Sequence, residues 1–111
     1  MRKVISVHEY ELKPDVETVQ FEEAAHEYPI SLPGLANYYL LKSVRGSRKS
    51  SYAAVWIFES EEAWENLWGS RDNPVSKNDY PENWLVWEDE VLAPLLDRDP
   101  DKIEFTSYLE I

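Results

Sequence analysis

Cysteine is absent from the 111 residues, which excludes disulfides, thiolate catalysis and cysteine-based zinc or iron–sulfur sites together. Glycine occurs only three times, too seldom to build a phosphate-cradling loop. His8 and His26 are the two histidines, and no Gly-x-Ser-x-Gly elbow accompanies them, so serine-based hydrolysis has no motif to rest on. A metal site would require His8, His26 and carboxylates to converge, and no recognised ligand spacing supports that; no metal and no other cofactor is expected. Positive charge is also scarce. Eleven basic residues stand against 22 acidic ones, a net charge of −11, and such a surface repels phosphate backbones, so nucleic acid is not an expected partner. No apolar run approaches the ~18 residues of a membrane span. Met1-Arg2-Lys3 leads into a strand pattern without the apolar segment of an export signal, so the expected setting is the cytoplasm, away from any membrane.

What the chain does contain is aromatic bulk. Aromatic residues make up 14% of it, five of them tryptophan, and hydrophobic residues 43%. That suffices for a core and speaks against a disordered chain. The length suits one domain, residues 1–111.

Strand one is expected over Val4 to Leu12, with Ile5 and Val7 on one face and Ser6, His8 and Tyr10 on the other. Pro14-Asp15 opens a helix that Asp15 is placed to cap, with Phe21, Ala24, Ala25 and Tyr28 at i, i+3, i+4, i+7. Pro33-Gly34 turns the chain into strand two, Leu35 to Arg45. A Gly46-Ser47 turn then leads into strand three, Ser51 to Glu59. Ser60 is positioned to cap a second helix, with Glu61 and Glu62 in its first turn and Gly69 at its end. Ser70 to Tyr80 lacks periodicity and reads as a loop of the length often found at functional sites. A third helical pattern starts at Pro81 and uses Trp84, Trp87 or Glu88, Val91, Leu92 and Leu95, with Pro94 kinking or ending it. Ile103 to Ile111 alternates as a half-buried final strand. The order is βαββαβ with an extra helix.

Helices covering one face of such a four-stranded antiparallel sheet would leave a polar opposite face in a monomer. Here both faces are apolar. Strand three sets Ala53, Val55 and Ile57 against Tyr52, Ala54, Trp56 and Phe58, and strand two sets Tyr38, Leu40 and Val44 against Leu35, Tyr39 and Leu41. Burying each large side chain is worth ~1.5–3 kcal/mol, enough in combination to drive sheet-on-sheet pairing into a homodimer.

The element order, Pro33-Gly34-Leu35, the two-sided hairpin and the passage Phe58-Glu59-Ser60-Glu61-Glu62-Ala63-Trp64 resemble the dimeric α/β-barrel superfamily, and within it the antibiotic-biosynthesis-monooxygenase-like group. The resemblance implies an α+β, ferredoxin-like fold pairing as a dimeric α/β barrel, with a cavity within each subunit between strand residues and helices. It also implies a cofactor-independent monooxygenase that orients an electron-rich substrate. Haem-degrading relatives use a histidine on a later helix, and this chain has none after His26.

Candidate residues follow from that cavity. His8 and Tyr10 share a strand face with Ser6 and are the candidates for moving a proton, or alternatively form an interface histidine beside a tyrosine. Trp64 and Trp68 fall at i, i+4, and with Trp84 they would wall a pocket for a small hydrophobic or aromatic molecule, or else fill the core. Asn37 on strand two and Asn66 on helix two offer polar anchors. The basic group Lys42, Arg45, Arg48 and Lys49 would receive an anion or pair with acidic residues. Against the enzyme stands a non-enzymatic reading, a ligand-sensing or stress-associated dimeric module.

Overall fold

The computed structural model describes residues 2–46 and 50–111. Four strands form the main sheet: β1 (Val4–Tyr10), β2 (Leu35–Lys42), β3 (Tyr52–Phe58) and β6 (Phe105–Leu109), in the order β2-β3-β1-β6. All neighbouring pairs are antiparallel. β1 and β2 therefore run the same way with β3 between them, so the connection carrying α1 (Thr18–Glu27) must cross a face of the sheet. α2 (Glu61–Trp68) crosses likewise between β3 and β6, and α3 (Glu82–Val86) is the extra helix. A two-residue ladder, β4 (Gly69–Ser70) with β5 (Asn73–Pro74), lies between α2 and α3. The arrangement is the ferredoxin-like α+β fold.

All three helices pack on one face. Tyr52, Ala54, Trp56 and Phe58 of β3 are buried against Phe21 and Ala25 of α1 and against Trp84, Trp87 and Leu92 of the third helical stretch, while Trp64, Leu67 and Trp68 of α2 pack at the margin. The other face is bare. There the register aligns Asn37, Ile57, Ile5 and Tyr108 in one row and Tyr39, Val55, Val7 and Thr106 in the next. Tyr39, Leu41 and Tyr108 are 51%, 45% and 57% exposed, a contiguous apolar surface of the kind that marks an interaction site.

Local chemistry explains most boundaries. Ser60 Oγ accepts from the Ala63 amide at 3.1 Å, so α2 begins where a serine cap was expected. Gly69 closes the helix at φ +86°, its amide donating to the Glu65 carbonyl. α1 differs: Glu17 holds the cap position without a side-chain hydrogen bond, and Asp15 lies in a turn two residues earlier rather than capping the helix. β2 ends at Lys42, short of Arg45. Ser47, Arg48 and Lys49 of the expected turn and basic group lie outside the described residues. A bulge between Leu35 and Asn37 pairs Leu35 with Phe58 on the helix face, so Leu35 does not share the outer face with Tyr39 and Leu41 as strict alternation implied. β6 spans five residues, most of them exposed rather than half-buried, because it is an edge strand paired only with β1.

Gly34 marks a close approach of the entry to β2 against α2. Its φ is +79°, and a Cβ there would lie 2.6 Å from the Ala63 Cβ. Gly34→Ala should cost at least about 2 kcal/mol in chemical denaturation, combining left-handed backbone strain with overpacking. Adding Ala63→Gly should return only the packing share, leaving about 1 kcal/mol of backbone cost; full recovery would show that backbone conformation plays no part.

Candidate functional site

A cavity of about 320 Å³ lies between the helix face of the sheet and the segments that follow α2. β1 contributes Ser6 and His8, β3 contributes Trp56 and Phe58, and α2 contributes Trp64 and Trp68. Trp84 and Glu88 reach it from the third helical stretch, and Phe105 and Ser107 from β6. Its wall is a continuous series of rings. Trp56 meets Trp84 edge-on at 4.9 Å, Trp84 meets Trp68 at 5.5 Å, and Trp68 meets Tyr80 at 5.1 Å. Such edge-to-face contacts are each worth ~0.5–1.5 kcal/mol beyond area burial, so they favour a preset wall over a collapsible one.

His8 lies within 6 Å of three rings: Trp56 at 5.9 Å, Trp84 at 5.8 Å and Phe105 at 5.7 Å. Burial pushes its pKa down to about 4, so the imidazole is neutral at physiological pH. Ser6 is buried, and its Oγ lies 2.7 Å from Ser107 Oγ across the β1–β6 pair.

Glu88 is the most consequential group. Only 7% exposed, its side chain has one carboxylate oxygen, Oε1, with no hydrogen-bond partner among the described residues. The helix explains how it got there. After α3 the backbone widens into a π-helical segment, Trp87–Leu92, in which the Ala93 amide reaches back to the Glu88 carbonyl at 2.9 Å. That wider turn buries Trp87 and Glu88 side by side, and π segments recur at functional sites. Burial raises the Glu88 pKa to about 7, Lys77 and a hydrogen bond from Trp84 opposing and Asp101 and Asp89 adding to the rise. Lys77 cannot neutralise it fully. Its ammonium is held by Asp89 at 3.0 Å and Asp101 at 3.1 Å; burial pulls it down, but these two hydrogen bonds win and keep it charged.

Of the residues expected from sequence, Ser6, His8, Trp64, Trp68 and Trp84 share this cavity. Tyr10 does not. It faces the same side as His8 but lies farther along β1, where its ring meets Phe21 of α1 at 6.1 Å, and it is 1% exposed. Its hydroxyl is buried without a hydrogen bond among the described residues, and burial raises its pKa well above the ordinary tyrosine value, making it a poor proton carrier. Asn37 is exposed on the bare face, donating to Tyr39 Oη at 3.1 Å, and Asn66 is exposed on α2. His26 is exposed on α1, and no group of metal-ligating side chains occurs among the described residues. Glu88, Phe105, Ser107 and Tyr80 went unrecognised as site residues. The available signal for Glu88 was an acidic residue at an apolar helical position, between Trp84 and Val91.

Solved structures resemble the chain over nearly its whole length. A dabb family protein with a ferredoxin-like fold from Mesorhizobium loti matches with a TM-score of 0.62 and 11% identity, covering 100% of this chain and 97% of that one. A dimeric protein of unknown function and ferredoxin-like fold from Bacteroides fragilis matches with a TM-score of 0.58 and 14% identity, covering 98% and 96%. A dimeric ferredoxin-like protein of unknown function from Thermobifida fusca follows at 0.55 and 15%, covering 97% and 89%. At these identities the likeness establishes the fold alone. No protein-family model and no curated protein matches the sequence.

Glu88 gives the site a pH signature. Its folded pKa lies above the unfolded value of 4.5, so it contributes stability that is fully present below about 4.5 and lost as pH rises through about 7. His8 runs the other way, contributing stability above 6.5 that is lost as pH falls through about 4. Comparing Glu88→Gln with the unmodified protein removes the histidine effect. The variant should gain on the parent by on the order of 2–3 kcal/mol between pH 4.5 and 8, measured by urea denaturation. A gap that does not change with pH would contradict the buried, unpaired carboxyl.

Proposed function

We propose that the chain forms a homodimer through the bare face of its sheet, and that each subunit binds a small aromatic or hydrophobic molecule in the cavity beside α3, where Glu88 exchanges a proton with it. One observation carries the reading: a carboxyl group 7% exposed, with an unpartnered oxygen, in a cavity of about 320 Å³ walled by tryptophan. Leaving such a group unsatisfied costs on the order of 1–3 kcal/mol, a cost that a ligand's polar group would relieve. The cavity size falls at the lower end of small-molecule sites, ~300–1,000 Å³. A pKa near neutrality suits a general acid or base. His8, held neutral by burial, supplies a second polar edge that accepts or donates a hydrogen bond without charge.

For the dimer, support comes from the exposed Tyr39, Leu41 and Tyr108 on the uncovered face and from the dimeric state of the Bacteroides fragilis and Thermobifida fusca proteins. The resemblance to the antibiotic-biosynthesis-monooxygenase-like group adds turnover to binding. Proton removal by Glu88 would raise the electron density of an aromatic substrate toward dioxygen, the one service such an oxygenation asks of the protein. A ligand sensor would use the same cavity without consuming its ligand.

Two measurements test the reading. Sedimentation equilibrium should return twice the chain mass, falling to one chain for Val55→Asp; a monomeric parent would remove the dimer. Titration with naphthols and arylamines should quench tryptophan fluorescence, and Trp84→Leu should weaken binding roughly tenfold at unchanged dimer mass. Oxygen uptake with the bound compounds separates oxygenase from sensor. Absence of binding by the whole series would overturn the cavity assignment.

A further inference from the structure

The cavity's walls and its charges together specify more than an aromatic ligand. Tryptophan faces carry negative quadrupole density and attract cations within ~6 Å of the ring centroid, most strongly where water is excluded. The rings of Trp56, Trp84, Trp68 and Tyr80 follow one another at 4.9, 5.5 and 5.1 Å, so the wall is an arc rather than a single plate. Glu88 lies in the same cavity with Oε1 unpartnered. Positive charge nearby is already committed. Lys77 is shared by Asp89 and Asp101, and Arg71 at the cavity margin is bonded to Glu61 at 3.1 Å. Three carboxylates, those of Glu88, Asp89 and Asp101, thus face one ammonium, and the one with an unpartnered oxygen is the most deeply buried.

We propose that the polar group of the ligand is a cation, and that the cavity is an aromatic cage for an organic ammonium, a protonated amine on a compact apolar body, with Glu88 as its counter-ion and the acceptor of its proton. This rests on the small-molecule cavity proposed above and narrows its ligand class. A neutral ligand would offer Glu88 at best one hydrogen bond. An ammonium answers the carboxylate and the rings at once, and its hydrocarbon shell suits a wall built mainly of aromatic side chains. An anionic ligand would meet Glu88 and Asp101 with like charge, so carboxylate or phosphate compounds are expected to be rejected.

The experiment compares phenyltrimethylammonium with its neutral isostere tert-butylbenzene by tryptophan quenching, at about 0.5 M salt so that attraction by the protein's general acidity is screened. The cation should bind at least roughly tenfold more tightly. Glu88→Gln should erase most of that preference while leaving the isostere's affinity and the dimer mass unchanged. Trp68→Leu should weaken the cation more than the isostere, and it serves as the independent variant should Glu88→Gln fold poorly. Equal binding of the two probes would overturn the ammonium assignment and leave the aromatic cavity standing. Binding of neither would overturn both. A preference undiminished in Glu88→Gln would overturn Glu88 as counter-ion.

Discussion

The contact between Trp56 and Trp84, ring centroids 4.9 Å apart and nearly perpendicular, is the constraint from which the site follows. Trp56 is 1% exposed near the middle of β3, stacked at 5.2 Å on Tyr38 of β2. By seating Trp84 there, it pins the third helical stretch to the centre of the sheet. Trp87 meets the same ring at 6.1 Å, fixing the rotation of the helix as well as its position. With that helix anchored over β3, the β6 side of the sheet has no helix of its own, and Phe105 remains 63% exposed. The cavity is the space left between an anchored helix and an uncovered edge strand.

The two faces of the sheet divide the work. Toward the helices, Ser6, His8 and Ser107 are polar groups among large rings, which the packing tolerates because the two hydroxyls pair with each other and the imidazole sheds its charge. Away from the helices, the same strands present Ile5, Val7, Val55 and Ile57, with little chemistry and much apolar area. One set of strands thus separates the cavity from the bare apolar face by the thickness of a sheet.

The sequence spoke most clearly where a physical rule is local. Ser60 and Gly69 bound α2 because capping depends on a few adjacent residues, and β3 alternates strictly because one of its faces lies under the helices and the other is bare. Legibility failed where geometry is cumulative. The bulge between Leu35 and Asn37 puts Leu35 on the helix face, out of step with Tyr39 and Leu41, while Asn37 stays with those two on the outer face and so lies away from the cavity. Tyr10 obeys the alternation that groups it with His8, yet strand direction carries it beneath α1 and out of the cavity. Glu88 was hidden by the assumption of a 3.6-residue turn, under which Trp87 and Glu88 compete for one inward position.

That wider turn makes the burial of Glu88 a matter of residue count. An α-helix advances about 100° per residue, so loss of a single residue within Trp87–Leu92 would restore the ordinary winding and swing one of the two side chains off the cavity. Point substitutions can adjust the acidity of Glu88, whereas a single-codon deletion could remove it from the site altogether while leaving the strands and their pairing intact. Descendants of such a chain could therefore keep the shape of the protein and lose the buried carboxyl from its cavity in one step.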